Sequence, residues 1–294
     1  LIALRFRALG LAVALAMAFG TGLAQAQSFD HGYAAWSALL AKHVVLREGG
    51  KSSQLDYAGM ARDRAALKSW LASLEAVSEA QFAAWSRPER MAFLINAYNG
   101  FTVELILTQY PRHKSIRDYG SLFTNAWKQK FFRLFGREQT LDAVEHEMLR
   151  APGAYEDVRL HFAVNCASIG CPMLREEAYV AARLDAQLEQ QAQRFLSDRS
   201  RNRFDAKGGG LELSRIFDWY GKDWDKGWRG VAGGAPVTSL AAWLGRHAAL
   251  LADAAEQRQL VAEGRAPIRF IEYDWALNDV ARDPSRDTVR DIRR

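Results

Sequence analysis

The stretch between Pro88 and Pro111 constrains the fold more than any other part of the chain. Residues 89–109 carry Phe93, Leu94, Ile95, Tyr98, Phe101 and Leu105, with further apolar residues between them, nearly all the way round a helix. A helix without a polar face has no side to turn to water, so this one is expected to be the buried spine of the molecule. Proline is tolerated in a first helical turn and stops a helix it follows, so the two prolines mark the ends. Asn96 and Asn99 lie inside this apolar helix, and buried amides need hydrogen-bond partners. They are expected to aim at residues 165–171, the segment richest in unpaired backbone groups, and are candidates there for substrate binding as well as for backbone support.

The pattern around the spine predicts an α+β fold, with a helical N-terminal half packed on a mostly antiparallel sheet. Helices are expected over 29–46, 58–74 and 78–85, the last opened by Ser78 with Gln81 three residues on. Two short strands, 131–134 and 137–140, join at Phe135-Gly136, and a helix over 141–150 carries Glu145-His146. Beyond it, 158–165 alternates apolar and polar residues as a half-buried strand does. An amphipathic helix over 184–196, a hairpin over 201–205 and 210–213, helices over 214–221, 239–247 and 251–263, and a strand over 268–274 complete the reading. No internal repeat or low-complexity linker divides the chain, so residues 27–294 are expected to form one globular domain.

Residues 1–26 are set apart. Arg5 and Arg7 precede an apolar run from Leu9 to Phe19, and Ala24-Gln25-Ala26 supplies the small residues of a cleavage site. This is the pattern of a secretory signal, with an apolar run well short of the roughly 20 residues of a membrane span. Periplasmic or secreted localisation follows as an expectation, with no stable membrane anchor after cleavage. Losing Arg5 and Arg7 lowers the formal net charge of +5 by two. Acidic and basic residues then alternate without the clustered basic face that nucleic-acid binding needs. The basic tail over 282–294 reads as a solvated end.

Chemistry concentrates in His161-Phe-Ala-Val-Asn-Cys166-Ala-Ser-Ile-Gly-Cys171-Pro172, which holds both cysteines of the chain. Pro172 predicts a helix over 173–182, with Cys171 as its cap. A thiol at a helix start is favoured as thiolate, which makes Cys171 the first choice of nucleophile and Cys166 the second. A thiol enzyme also needs a base and a group to orient it. His161 is the preferred base, because its strand leads into the cysteine turn. His146 with Glu145 is the fallback. An oxidising compartment leaves a second possibility open, a Cys166–Cys171 disulfide across the turn with no free nucleophile. The two cysteines lack the close pair usual in zinc sites, so neither a metal nor another cofactor is expected. Trp219, Tyr220, Trp224 and Trp228, with Asp218, Asp223 and Asp225 among them, suit either a sugar-stacking surface or an aromatic core plug. The chain carries no phosphate-cradling glycine loop, no Gly-x-Ser-x-Gly elbow and no His-Glu-x-x-His.

Four segments in order, Phe93-Leu-Ile-Asn-Ala-Tyr-Asn99, Ser115-Ile-Arg-Asp, Leu141-Asp-Ala-Val-Glu-His146 and the histidine-to-proline stretch 161–172, resemble the bacterial branch of the family called domain of unknown function 547. The resemblance covers residues from about 85 to 225. It implies a papain-like or transglutaminase-like architecture, in which a helix-borne nucleophile faces a sheet-borne histidine. The expected function is then a thiol hydrolase or acyltransferase on an amide or thioester, with a small-molecule, peptide or cell-wall-derived substrate. The competing expectation is a non-catalytic peptide- or glycan-binding domain with its cysteines bridged.

Overall fold

The computed structural model describes residues 29–120 and 125–282, so the expected signal segment and nearly all of the basic tail lie outside the described residues. Eleven α-helices are described: α1 Ala34–His43, α2 Tyr57–Arg62, α3 Arg64–Glu75, α4 Glu79–Ala84, α5 Arg87–Leu107, α6 Leu160–Ala163, α7 Leu184–Ser197, α8 Ile216–Trp219, α9 Leu240–Arg246, α10 Ala248–Leu251 and α11 Ala255–Ala262. Half of the structure is helical and about an eighth is strand, which makes the fold α+β.

Helix α5 is the spine. Ser86 caps it and closes a capping box with Glu89, and a proline sits in its first turn, where the missing N–H costs nothing. Every residue from Met91 to Leu107 is buried. The one carboxylate in that run, Glu104, is held by the Arg64 guanidinium through Nε and Nη2, with Nη2 at 2.6 Å. Helix α3 packs against α5 at Gly100, where a Cβ would stand 2.3 Å from Trp70 Cζ3. Trp70 is itself stacked on Trp36, with ring centroids 4.6 Å apart, and has no room to give. Gly100→Ala gains up to about 1 kcal/mol of helix propensity but forces an overpacked core at about 1–3 kcal/mol. The variant is therefore expected to unfold at lower urea concentration than the native chain. An unchanged midpoint would mean that α3 slides freely on α5.

The strands do not form the expected layer behind the helices. They make three small sheets: the antiparallel pair β1 Val44–Arg47 and β2 Ser52–Leu55, the hairpin β3 Phe132–Leu134 and β4 Arg137–Gln139, and β5 Arg203–Asp205 with β6 Gly210–Leu213 and β7 Ile268–Phe270. Strand β7 joins β6 in parallel, Leu211 opposite Ile268. Strands of three or four residues cannot build a broad sheet, and one continuous apolar core from Tyr33 to Leu277 takes its place as the organising element.

Two local expectations are overturned around the cysteines. Residues 158–165 are not a strand but a tight helical turn, α6, running into extended backbone at Val164. Its residues from Leu160 to Val164 are buried on every side, so the alternation carried no inside–outside information. Residues 173–180 form no helix after Pro172. Side chains from other elements satisfy this segment's backbone instead: Ser53 Oγ donates to Leu174 O, Gln191 Nε2 to Met173 O, and Asn165 Nδ2 to Pro172 O. Tertiary hydrogen bonds hold the segment extended and outweigh the local helix signal.

Candidate functional site

A cleft of about 210 Å³ gathers nearly every residue that the sequence singled out for chemistry: Glu145, His146, His161, Cys166 and Cys171 all line it. Asn96 and Asn99 do not. The Asn96 amide brackets Tyr179, donating to its carbonyl at 2.8 Å and accepting from its N–H at 3.0 Å. Asn99 donates to Ala163 O at 2.9 Å and accepts from Asn165 N–H at 2.8 Å. Only Asn99 reaches the cysteine turn, and both amides are spent on backbone, so the substrate-binding role expected of them gives way to support of the chain.

The turn itself is clamped from two sides. Asn165 Oδ1 accepts from Ala167 N–H. On the other side the extended segment 271–279 takes N–H bonds from Ile169 to Ala276 O and from Gly170 to Asp274 O, and returns one from Asn278 to Ala167 O. Ala167 is held at φ 62°, a left-handed conformation that costs a non-glycine residue roughly 1–2 kcal/mol. Such strain persists only where surrounding contacts over-determine the backbone. Here it follows directly after Cys166.

Both cysteines are free thiols, Cys171 buried and Cys166 partly open to the cleft. The Cys166 sulfur lies 3.1 Å from Ser168 Oγ and 3.2 Å from Tyr273 Oη, and the Cys171 thiol and the Ser168 backbone N–H also reach it. Burial alone would push the Cys166 thiol up, but these donors outweigh it and bring it from 9.0 down to about 7. Burial, reinforced by the neighbouring Cys166 sulfur, pushes the Cys171 thiol well up. Burial and the same sulfur also hold the Tyr273 phenol up, so its O–H is kept for donation. The order of preference from the sequence is therefore reversed, because Cys171 caps no helix and Cys166 has the donors. Alkylation of the reduced protein by iodoacetamide is expected to rise with a midpoint near pH 7. Tyr273→Phe should move that midpoint up. A native midpoint near 9 would remove the thiolate from the account.

His161 comes from α6 and is fully buried beneath Tyr220, on which it stacks at 4.3 Å. Its Nε2 pairs with Asp223 Oδ2 at 2.9 Å, while its Nδ1 has no hydrogen-bond partner among the described residues. Burial lowers its pKa from the ordinary 6.5 against the opposing pull of Asp223. Asp223 also accepts from Arg150 Nε at 2.8 Å and from Lys226 Nζ at 2.7 Å. Burial would raise this carboxyl, but His161, Arg150 and Lys226 together hold it well below the usual carboxylate range.

Glu145 and His146 sit on a π-helix, Ala143–Leu149, an irregularity that recurs at functional sites. Glu145 accepts from Tyr220 Oη at 2.6 Å. The His146 Nδ1 lies 2.6 Å from Arg150 Nη1, so it belongs to the Arg150–Asp223 network and not to the sulfur environment described above. The sequence reading passed over Arg150, Ser168 and Tyr273, and placed Asp223 only among aromatic residues. Nothing local marks Arg150, Asp223 and Tyr273, since each acts across a long stretch of chain, whereas Ser168 lies two residues from Cys166 within the turn. The tryptophan cluster divides: Trp224 and Trp228 are core, whereas Trp219 is 46% exposed and stacks on Trp275 at the cleft.

Among the described residues no group of three or more His, Cys, Asp or Glu side chains could hold a metal ion, and no helix is long and apolar enough to cross a membrane. Neither a curated protein nor a solved structure matches the chain. Residues 82–196, which contain both cysteines, His161, Glu145 and His146, match the model of the family described as "Protein of unknown function, DUF547", the family this chain resembles.

Proposed function

We propose that the protein is an exported thiol hydrolase or acyltransferase, acting on an amide or thioester in the periplasm or outside the cell, on an architecture related to papain-like and transglutaminase-like enzymes. The observation that carries this reading is a single one. A partly open sulfur ringed by donors and a histidine locked by a buried carboxylate, with its other ring nitrogen unpartnered, line the same cleft.

In this reading the Cys166 sulfur attacks the carbonyl carbon of the substrate. His161 accepts the thiol proton, and Asp223 holds its ring in one orientation and stabilises the imidazolium that forms. The same proton then passes to the leaving amine or thiol, and the acyl group remains on Cys166 as a thioester. Water or a second nucleophile releases it. Burial disfavours the protonated ring of His161, and a base must be unprotonated before it acts. The wall of Trp219, Trp275 and Tyr273 suits a small-molecule, peptide or cell-wall-derived substrate with an apolar face.

Intact-mass measurement after incubation with a panel of short acyl thioesters tests the proposal. A single acyl adduct on Cys166, formed in the native chain and lost in His161→Ala, is the expected result. No adduct with any acyl donor, while iodoacetamide still labels Cys166, would count against acyl transfer.

A further inference from the structure

Acyl transfer uses one sulfur, yet the cleft holds two near each other. The Cys166 backbone N–H donates to the Cys171 sulfur at 2.9 Å, so the two sulfurs are near each other, though not at disulfide distance. Both line the cleft, but Cys171 is only 3% exposed whereas Cys166 is partly exposed. The intervening residues turn back on themselves, with Cys171 N–H bonded to Ser168 O at 3.1 Å. We propose that Cys166 and Cys171 are a thiol–disulfide exchange pair, with Cys166 the attacking sulfur and Cys171 the resolving sulfur, and that the cleft admits organic disulfides as the oxidant.

The exchange balances in two steps. The Cys166 thiolate attacks one sulfur of R–S–S–R, forming the mixed disulfide Cys166–S–S–R and releasing R–S⁻. Cys171, already hydrogen-bonded to the Cys166 backbone N–H, then attacks the Cys166 sulfur. The Cys166–S–S–Cys171 bond forms, the bond to R breaks, and the Cys171 proton leaves with the second thiol as R–S–H. The substrate disulfide is reduced by two electrons and the pair is oxidised by two. Closing the bond brings the sulfurs to about 2.05 Å, which requires Cys171 to release the Cys166 N–H. The division of labour follows from access. A disulfide entering the cleft meets the more exposed Cys166, and the buried Cys171 is shielded from solvent but near the bond it must cleave.

This inference shares the reactive Cys166 with the acyl-transfer reading, but it alone requires Cys171. The reduced full chain is incubated with 2-hydroxyethyl disulfide and followed by intact mass and free-thiol count. The native protein is expected to pass through a transient adduct and end with no free thiol and no added group. Cys171→Ser should stop at one stable adduct per chain, and Cys166→Ser should remain unmodified. If Cys171→Ser fails to fold, the transient adduct of the native chain still decides. A native chain that stops at a stable adduct, or one that keeps both thiols, overturns the proposal. Acyl labelling without disulfide closure would end the exchange pair and leave acyl transfer standing, and closure without acyl labelling would do the reverse.

Discussion

Cys166→Ser is expected to reduce turnover of an acyl thioester by about 10³-fold or more, because a serine hydroxyl is not ionised by donors that suffice for a thiol. The substitution is nearly isosteric. The oxygen can keep hydrogen bonds to Ser168 Oγ and Tyr273 Oη, which lie 3.1 Å and 3.2 Å from the native sulfur. Stability should therefore change little while the rate collapses, and that separation is the diagnostic result. Steady-state kinetics and a urea titration on the same preparation measure both. Retention of the native rate would exclude Cys166 as nucleophile, and a loss seen only in Cys171→Ser would move the role to the buried sulfur.

The second large effect is expected at Asp223, the point on which His161, Arg150 and Lys226 converge. Removing one member of a buried ion pair leaves the partner charge uncompensated, at about 3–5 kcal/mol. Lys226 is half exposed and contributes little of this. The cost falls on Arg150 and on the orientation of His161. Asp223→Ala should lower the urea midpoint accordingly and abolish acyl transfer. The native chain should also lose stability on the acid side in two stages. The folded-state pKa of His161 is below 6.5, so the unfolded chain takes up that proton first, and stability begins to fall as pH drops below about 6.5. The folded-state pKa of Asp223 is far below 3.8, so its contribution is complete above 3.8 and is lost as pH falls through the folded value. Asp223→Ala should lack the lower stage. If its acid limb matches the native one, the carboxylate is not what the network rests on.

Much of this was legible in the residues themselves. Helix α5 announced itself through Pro88, Pro111 and an apolar surface without interruption, and its observed ends differ from the expected ones by two residues. The hairpin of β3 and β4 followed from Phe135-Gly136, both at positive φ, as a tight turn between short strands requires. His161 was the preferred partner of the cysteines and His146 with Glu145 the alternative, and all of them line one cleft. What failed was local conformation near the sulfurs. A segment buried on all sides, as 160–164 is, has no period to read. A proline signals a permitted helix start but cannot announce that Ser53, Gln191 and Asn165 will claim the carbonyls after Pro172. The residues that tune the site, Asp223 and Tyr273, act across 62 and 107 positions of chain, beyond the reach of any motif.

That longest connection also bears on when the sulfur becomes dangerous. Tyr273 reaches Cys166 only because the 271–279 segment lies along the cysteine turn, bonded to Ala167, Ile169 and Gly170. Until those two stretches have met, the chain carries two ordinary thiols, mostly protonated at neutral pH. If Cys166 is the nucleophile proposed above, assembly of the tertiary structure is itself the activating event, because the donors that favour its thiolate come together only in the finished fold.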